Sequence, residues 1–291
     1  MKFKFSAPIA SLLLIALSAT SSFAQREGKS YMGIVKNGSL YFSWGYNTEW
    51  YTRSTVHVKQ PGLGNDYKMV NVKAHDRRGW DEDFFNTALT VPQYNYRLGY
   101  FFNEKQDFAF EINFDHTKYI ITEGQEVRVQ GKREGKEVDE RVNFSGDNGF
   151  YYFLNNGANF LLFNLVKRFQ IYHTNNKYLK VDLLTKAGIG PVIPHVENSL
   201  FGQANKPGFQ IGGWNAGVET ALRVTAFKYG YLEFAQKFDY ARYSGLKVYE
   251  GTARQAFGCY ELILSLGFTL PTGKNNAQFK SHKAAAATPA E

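Results

Sequence analysis

The chain has 291 residues, a formal net charge of +8, 44% hydrophobic and 16% aromatic residues, and a mean hydropathy of −0.38. So aromatic a composition excludes disorder for the bulk. After the first two dozen residues no apolar run reaches the roughly 18 residues of a membrane helix. One cysteine excludes an internal disulfide framework and multi-cysteine zinc sites, while 25 Phe, 19 Tyr and 27 Gly against 8 Pro read as β-structure with close turns.

The first residues have the layout of a secretory signal peptide. Lys2 and Lys4 supply a basic start, Ala7 to Ala16 an apolar run, and Ser22-Phe23-Ala24 a small-x-small cleavage site. Processing after Ala24 removes two lysines and lowers the charge from +8 to +6. The expected organisation is a signal peptide over 1–24, a periplasmic segment over 25–38, a barrel over 39–270 and a disordered tail over 271–291.

Eight runs then alternate with period two, the mark of half-buried strands. The first sets Leu40, Phe42, Trp44 and Tyr46 against Tyr41, Ser43, Gly45 and Asn47. The second carries Tyr94, Tyr96, Leu98, Tyr100 and Phe102 opposite Asn95, Arg97 and Gly99. After a close turn, Phe108, Phe110, Ile112 and Phe114 stand opposite Asp107, Glu111, Asn113 and Asp115. Runs follow around Leu161–Leu165, Leu179–Ile189, Trp214–Val224, Leu232–Tyr240 and Tyr260–Leu270. An even count with this grammar predicts an all-β, eight-stranded antiparallel transmembrane β-barrel.

Connection lengths alternate too. Asn103–Gln106, His173–Lys177 and Phe227–Gly230 are short; Glu49–Pro92, Glu123–Gly157, Val192–Gly213 and Ser244–Arg254 are long. Short periplasmic turns and long extracellular loops place both termini in the periplasm. Thr55–Lys59 with Tyr67–Lys73, and Glu126–Gln130 with Glu137–Phe144, read as hairpins protruding beyond the membrane. Counting the first pair as spanning strands gives the alternative of ten.

Volume decides which face points outward. Roughly three dozen bulky apolar groups exceed what an eight-stranded lumen holds. Tyr94, Tyr96, Phe108, Phe110, Ile112 and Phe114 are therefore expected to face lipid. The opposite parity puts Arg97, Asp107, Glu111, Asp115, Lys180, Asp182, Lys186, Glu219, Arg223, Glu233, Lys237 and Glu261 inside. Ionised groups in so narrow a space must pair or titrate, and near-balance of sign favours a salt-bridged plug over a selective pore.

Catalytic chemistry has little support. In Asp115-His116-Thr117-Lys118 the parity separates His116 from Thr117, and no His-x-Ser occurs in the mature chain. Asp81-Glu82-Asp83 lacks the glycine and alternating ligands of a calcium loop. His57, His75, His173 and His195 show no metal-ligand spacing, and no glycine pattern supports a nucleotide, so neither metal nor cofactor is expected. The positive balance of an exported barrel does not imply nucleic acid. Arg77, Arg78, Arg128, Lys132, Arg133, Lys136 and Arg141 in the loops would instead meet lipopolysaccharide phosphates.

Val91-Pro92-Gln93-Tyr94-Asn95-Tyr96-Arg97-Leu98-Gly99-Tyr100-Phe101 resembles a stretch in an uncharacterised family of Bacteroidetes-type outer-membrane β-barrel proteins. Asp115-His116-Thr117-Lys118-Tyr119 with Gly124-Gln125, and Leu200-Phe201-Gly202-Gln203, are similar to the same family. The resemblance spans most of 40–270, implies an outer-membrane barrel and brings no catalytic residues. Ser265-Leu266-Gly267-Phe268 is similar to the terminal-strand signal read by barrel-assembly machinery, although here about twenty residues follow it. The reading is a non-enzymatic barrel for envelope structure or surface interaction through its long loops. An enzyme acting on envelope lipid and a narrow channel are the alternatives.

Overall fold

The computed structural model describes residues 38–79, 92–103, 107–154 and 157–272. The first strands are β1 (Ser39–Tyr51), β2 (Ser54–Gln60), β3 (Asn65–Val72), β4 (Ala74–His75), β5 (Tyr94–Asn103) and β6 (Phe108–Asp115). Next come β7 (Tyr119–Ile121), β8 (Gln125–Arg133), β9 (Lys136–Phe144), β10 (Tyr151–Leu154), β11 (Phe160–His173) and β12 (Leu179–Pro191). The last are β13 (Glu197–Leu200), β14 (Gln203–Asn205), β15 (Gly213–Ala226), β16 (Gly230–Val248) and β17 (Gly251–Pro271). The expected signal peptide, the 25–37 segment, Asp81-Glu82-Asp83 and the tail beyond Thr272 lie outside the described residues.

Eight strands close a ring in the order β1-β5-β6-β11-β12-β15-β16-β17, every neighbour antiparallel. The seam is β1 on β17, in register from Ser39 opposite Pro271 to Tyr51 opposite Cys259. These are the eight alternating runs of the sequence. β2 and β3 stand outside the ring, so eight is the count and ten is not.

Alternation in the sequence becomes two surfaces. Along β6, Phe108, Phe110 and Ile112 are exposed, whereas Ala109, Glu111, Asn113 and Asp115 are buried. The same division runs around the ring, with Leu98, Phe163, Leu165, Val218, Leu222, Phe234, Leu264 and Leu266 all outside. An apolar belt encircling the whole molecule far exceeds the few hundred Å² of a typical patch on a soluble monomer. It marks a membrane-spanning barrel. Tyr94 and Phe114 are half-buried on this outer face, Tyr94 stacking on His116 with ring centroids 4.7 Å apart.

The interior is tight enough to demand glycine. A Cβ on Gly99 would collide with the Tyr41 ring, and one on Gly217 with the Asp239 carboxylate. Bulky groups therefore had to go outward.

Beyond the belt the structure departs from the expected loops. Ser244–Arg254, expected as a long connection, is strand on both sides of a turn at Tyr249-Glu250. A bulge between Tyr243 and Leu246, with Gly245 at φ 66°, bends β16 but preserves its pairing, which resumes at Leu246 opposite Ala253. The extended β17 then pairs through Thr252–Arg254 with β2. From there the sheet continues through β3 and β8 to β9. The two expected hairpins thus join into one four-stranded extension of the barrel wall.

A second sheet, β14-β13-β10-β7-β4, belongs to the same outer region. Tyr67, Met69, Val127, Val129 and Phe144 from the first sheet share one core with Tyr119, Ile121, Tyr152, Leu154 and Leu200 from the second. Phe150 and Phe201 stack inside it at 4.5 Å, and Phe144 meets Phe150 edge-on at 5.1 Å. Phe160, Leu162, Tyr243 and Phe257 of the ring belong to this core too.

Phe110→Arg places a guanidinium on the outer face of β6, and near the bilayer midplane it should cost about 2–4 kcal/mol. Denaturant unfolding in lipid vesicles checks this; an unchanged midpoint would contradict lipid exposure of that face.

Candidate functional site

The lumen is filled by two sets of ionised groups, delivered by the inward parity of the ring strands. In the central set, Arg97 on β5 donates to Glu219 on β15 at 2.7 and 2.8 Å and to Glu233 on β16 at 2.8 Å. Lys186 on β12 donates to Glu111 on β6 at 3.0 Å and to Glu233 at 2.9 Å, and lies 3.0 Å from Glu219. Arg223 donates to Glu233 at 2.6 Å, its guanidinium lying 4.0 Å from the Tyr231 ring centroid and 4.6 Å from that of Tyr41. Tyr41 and Asn164 also donate to Glu111, at 2.8 and 3.1 Å. Three cations meet three carboxylates: Arg97 reaches its partners across the barrel, whereas Arg223 pairs with Glu233 directly opposite it on the neighbouring strand. Such mutual satisfaction is the condition under which buried charges are tolerated.

The second set is acid-rich. Lys237 pairs with Asp115, lies 2.8 Å from Asp239 and is 3.6 Å from Glu261. Asn113 donates to Asp115 at 2.8 Å, and Asn47 donates to Glu49 at 2.6 Å. All of these side chains are buried.

The remaining inward charges sit elsewhere. Asp107 is half-buried at the short-turn end, where Arg168 donates to it at 2.9 Å while packing on Phe101 at 4.4 Å. Asp182 and Lys180 are buried on β12, with Asp182 opposite Arg223 in register. The sequence reading omitted Arg168, Asp239 and Glu49 from the inward charges. The parity of Val166, Lys237 and Asn47 on the same strands already pointed each of them inward.

The catalytic candidate resolves into structure. His116 stacks on Tyr94, and its Nδ1 lies 2.8 Å from Asn159 Oδ1, whose own amide nitrogen donates to Ile193 O. Asn159 Oδ1 is therefore the acceptor and Nδ1 carries the proton. Burial holds this imidazole below its ordinary pKa, with the Asn159 hydrogen bond opposing the shift. Its two partners are an amide and a phenol ring.

In the outer sheets, several basic residues assigned to lipopolysaccharide already have carboxylate partners. Arg128 pairs with Asp139 at 2.6 Å, Lys132 with Glu137 at 3.7 Å, Arg133 with Glu140, and Arg78 with Asp76 at 3.9 Å. His57 bridges Asp66 at 2.5 Å and Arg254 at 3.0 Å, and hydrogen bonds from His57 and Lys59 hold Asp66 below the usual carboxylate range. A shallow groove lined by His75, Arg77, Ile120, Thr122, Glu123 and Phe153 opens on the five-stranded sheet.

No family model matches the chain, and no curated protein matches it. Among solved structures it is similar to the outer membrane protein OprG from Pseudomonas aeruginosa, at 12% identity over 81% of this chain and 97% of that one, with a TM-score of 0.38. The attachment invasion locus protein Ail of Yersinia pestis, solved with a heparin analogue, is 14% identical over 80% and 99% with a TM-score of 0.32. The outer membrane protease OmpT from Escherichia coli is 10% identical over 84% and 99% with a TM-score of 0.33. At such distances no activity or ligand carries over to this chain.

Arg97→Met should leave two cations, Lys186 and Arg223, to three buried carboxylates and destabilise the barrel by about 3–5 kcal/mol. Adding Glu219→Leu should recover part of that loss. Equilibrium unfolding of both variants in detergent checks it, and strictly additive losses would contradict direct coupling.

Proposed function

We propose that this protein is a non-enzymatic barrel of the outer membrane, a solid pin that displays a folded two-sheet head for surface interaction. The observation that carries the reading is the continuity of β16 and β17 from the apolar belt into the outer sheets. Their backbone pairing joins membrane anchor and head without a flexible linker. The central ion-pair set supports a plugged lumen, and the aromatic core over Tyr51, Tyr119 and Phe257 supports a closed outer end, with Tyr119 stacked on Phe257 at 4.4 Å. A selective pore would instead present a hydrated ring of one sign.

This orientation puts the short turns and both ring ends, Ser39 and Pro271, on the periplasmic side, with the head outside. It fits the sequence resemblance to Bacteroidetes-type barrels. Lipopolysaccharide is the nearest partner at the rim, where Arg242 lies opposite Trp214 in the β15–β16 register and the Trp214 ring meets Tyr240 at a tilt. Barrel-assembly machinery would receive the last strand.

Tags at Gly64 and Gly135, two turn glycines at φ 67° and 77°, should be labelled on intact cells. A tag at Gln106, outside the described residues, should be labelled only after permeabilisation. The reverse pattern would invert the barrel. In planar bilayers the purified protein should give no regular single-channel steps; steps whose selectivity changes with Glu219→Gln would establish a channel instead.

A further inference from the structure

We propose that the acid-rich level of the lumen is a binding site for one divalent cation of the calcium class, held by Asp115, Asp239 and Glu261. One carboxylate oxygen from each of these buried residues lies within 4.8 Å of the others. Oxygen ligands sit 2.3–2.6 Å from calcium, so oxygens of one shell are at most about 5 Å apart. The three are therefore already spaced as members of one shell.

Charge and hydrogen bonding carry the inference further. Lys237 supplies one positive charge to the three carboxylates. Glu49 adds a fourth, directly opposite Glu261 in the β1–β17 register, where like charges are unfavourable. Even with the buried Lys118, three residues beyond Asp115 in the chain, counted as a second cation, the carboxylates exceed the ammonium groups by two. The central set shows no such excess. A net double negative charge in a confined, membrane-enclosed space calls for a double positive one.

An independent observation points the same way. Asn113 is completely buried, its amide nitrogen is committed to Asp115, and its Oδ1 has no partner. Asp239 Oδ1 and Glu261 Oε2 likewise lack a hydrogen-bond donor, and the other oxygens of these two carboxylates face only the Lys237 ammonium, at 2.8 and 3.6 Å. All three orphaned atoms are acceptors, so the missing component is a cation or a donor. An all-oxygen donor set of carboxylates and one amide selects a hard cation over a transition metal. Asp115, Asp239 and Glu261 come from β6, β16 and β17, which is why no spacing in the sequence announces the site.

The test uses the full mature chain folded in detergent micelles and dialysed against calcium chloride. Elemental analysis after gel filtration should find one calcium per chain, and calcium should raise the unfolding temperature. Asp239→Asn should lose both effects, with Glu261→Gln as the substitute if that variant does not fold. Lys237→Met, which removes the competing ammonium, should bind calcium at least tenfold more tightly, read by displacement of luminescent terbium. Absence of calcium from both the native chain and Lys237→Met at millimolar concentration would overturn the proposal. A carboxylic-acid infrared band at neutral pH, present in that metal-free protein and lost in Asp239→Asn, would assign the charge balance to protons instead.

Discussion

Glu233 receives Arg97, Lys186 and Arg223 at once, and through them the central lumen ties together strands that lie on opposite sides of the barrel. An eight-stranded ring leaves room only for side chains that just fill it. Filling it with paired charge satisfies two demands together: the bulky apolar groups stay outside for lipid, and the interior acquires directional bonds that hold the cylinder's shape. An apolar filling would have removed the desolvation cost but also the fixed cross-lumen contacts. The glycine at 99 under Tyr41 and the glycine at 217 under Asp239 are consequences of that choice, since polar side chains long enough to reach a partner need backbone cleared of Cβ atoms.

The ring was legible because its signal is local. Alternation along Phe108–Asp115 says which residues share a face, and the volume of Phe and Leu against Glu and Asn says which face is outside. The head was not legible to the same degree. β4, β7 and β14 are two or three residues long, too short to show a period, and each is a strand only because a neighbour pairs with it. Nor does any local pattern announce that β2 pairs with β17 some two hundred positions away. Ser244–Arg254, expected as a long connection, is instead strand, because the chain uses Gly245 to bulge and continue.

The same division applies to the candidate sites. Parity sorts charges inward, but only register decides which of them meet: Asp115 and Glu261 converge on Lys237 from separate strands, while Asp107 falls short of the lumen and pairs with Arg168. On the head, basic residues that look available in sequence are largely spent within the β8–β9 hairpin, where Arg128 faces Asp139 and Lys132 faces Glu137. Charge near an edge strand in this arrangement also discourages unwanted strand addition at β9.

The seam between β1 and β17 has a further consequence for biogenesis. It joins the first strand of the ring to the last, so the cylinder stays open until nearly the whole chain has been delivered. β17 is also the strand on which β2 and the outer sheet are built, so head and anchor depend on the arrival of one late segment. Pairing of such high contact order is slow, and until it happens Leu40 to Tyr46 and Thr55 to Lys59 both wait for their template. A truncation before Gly251 would remove the closure of the ring and the foundation of the head in a single event, leaving two open edges in place of a sealed wall.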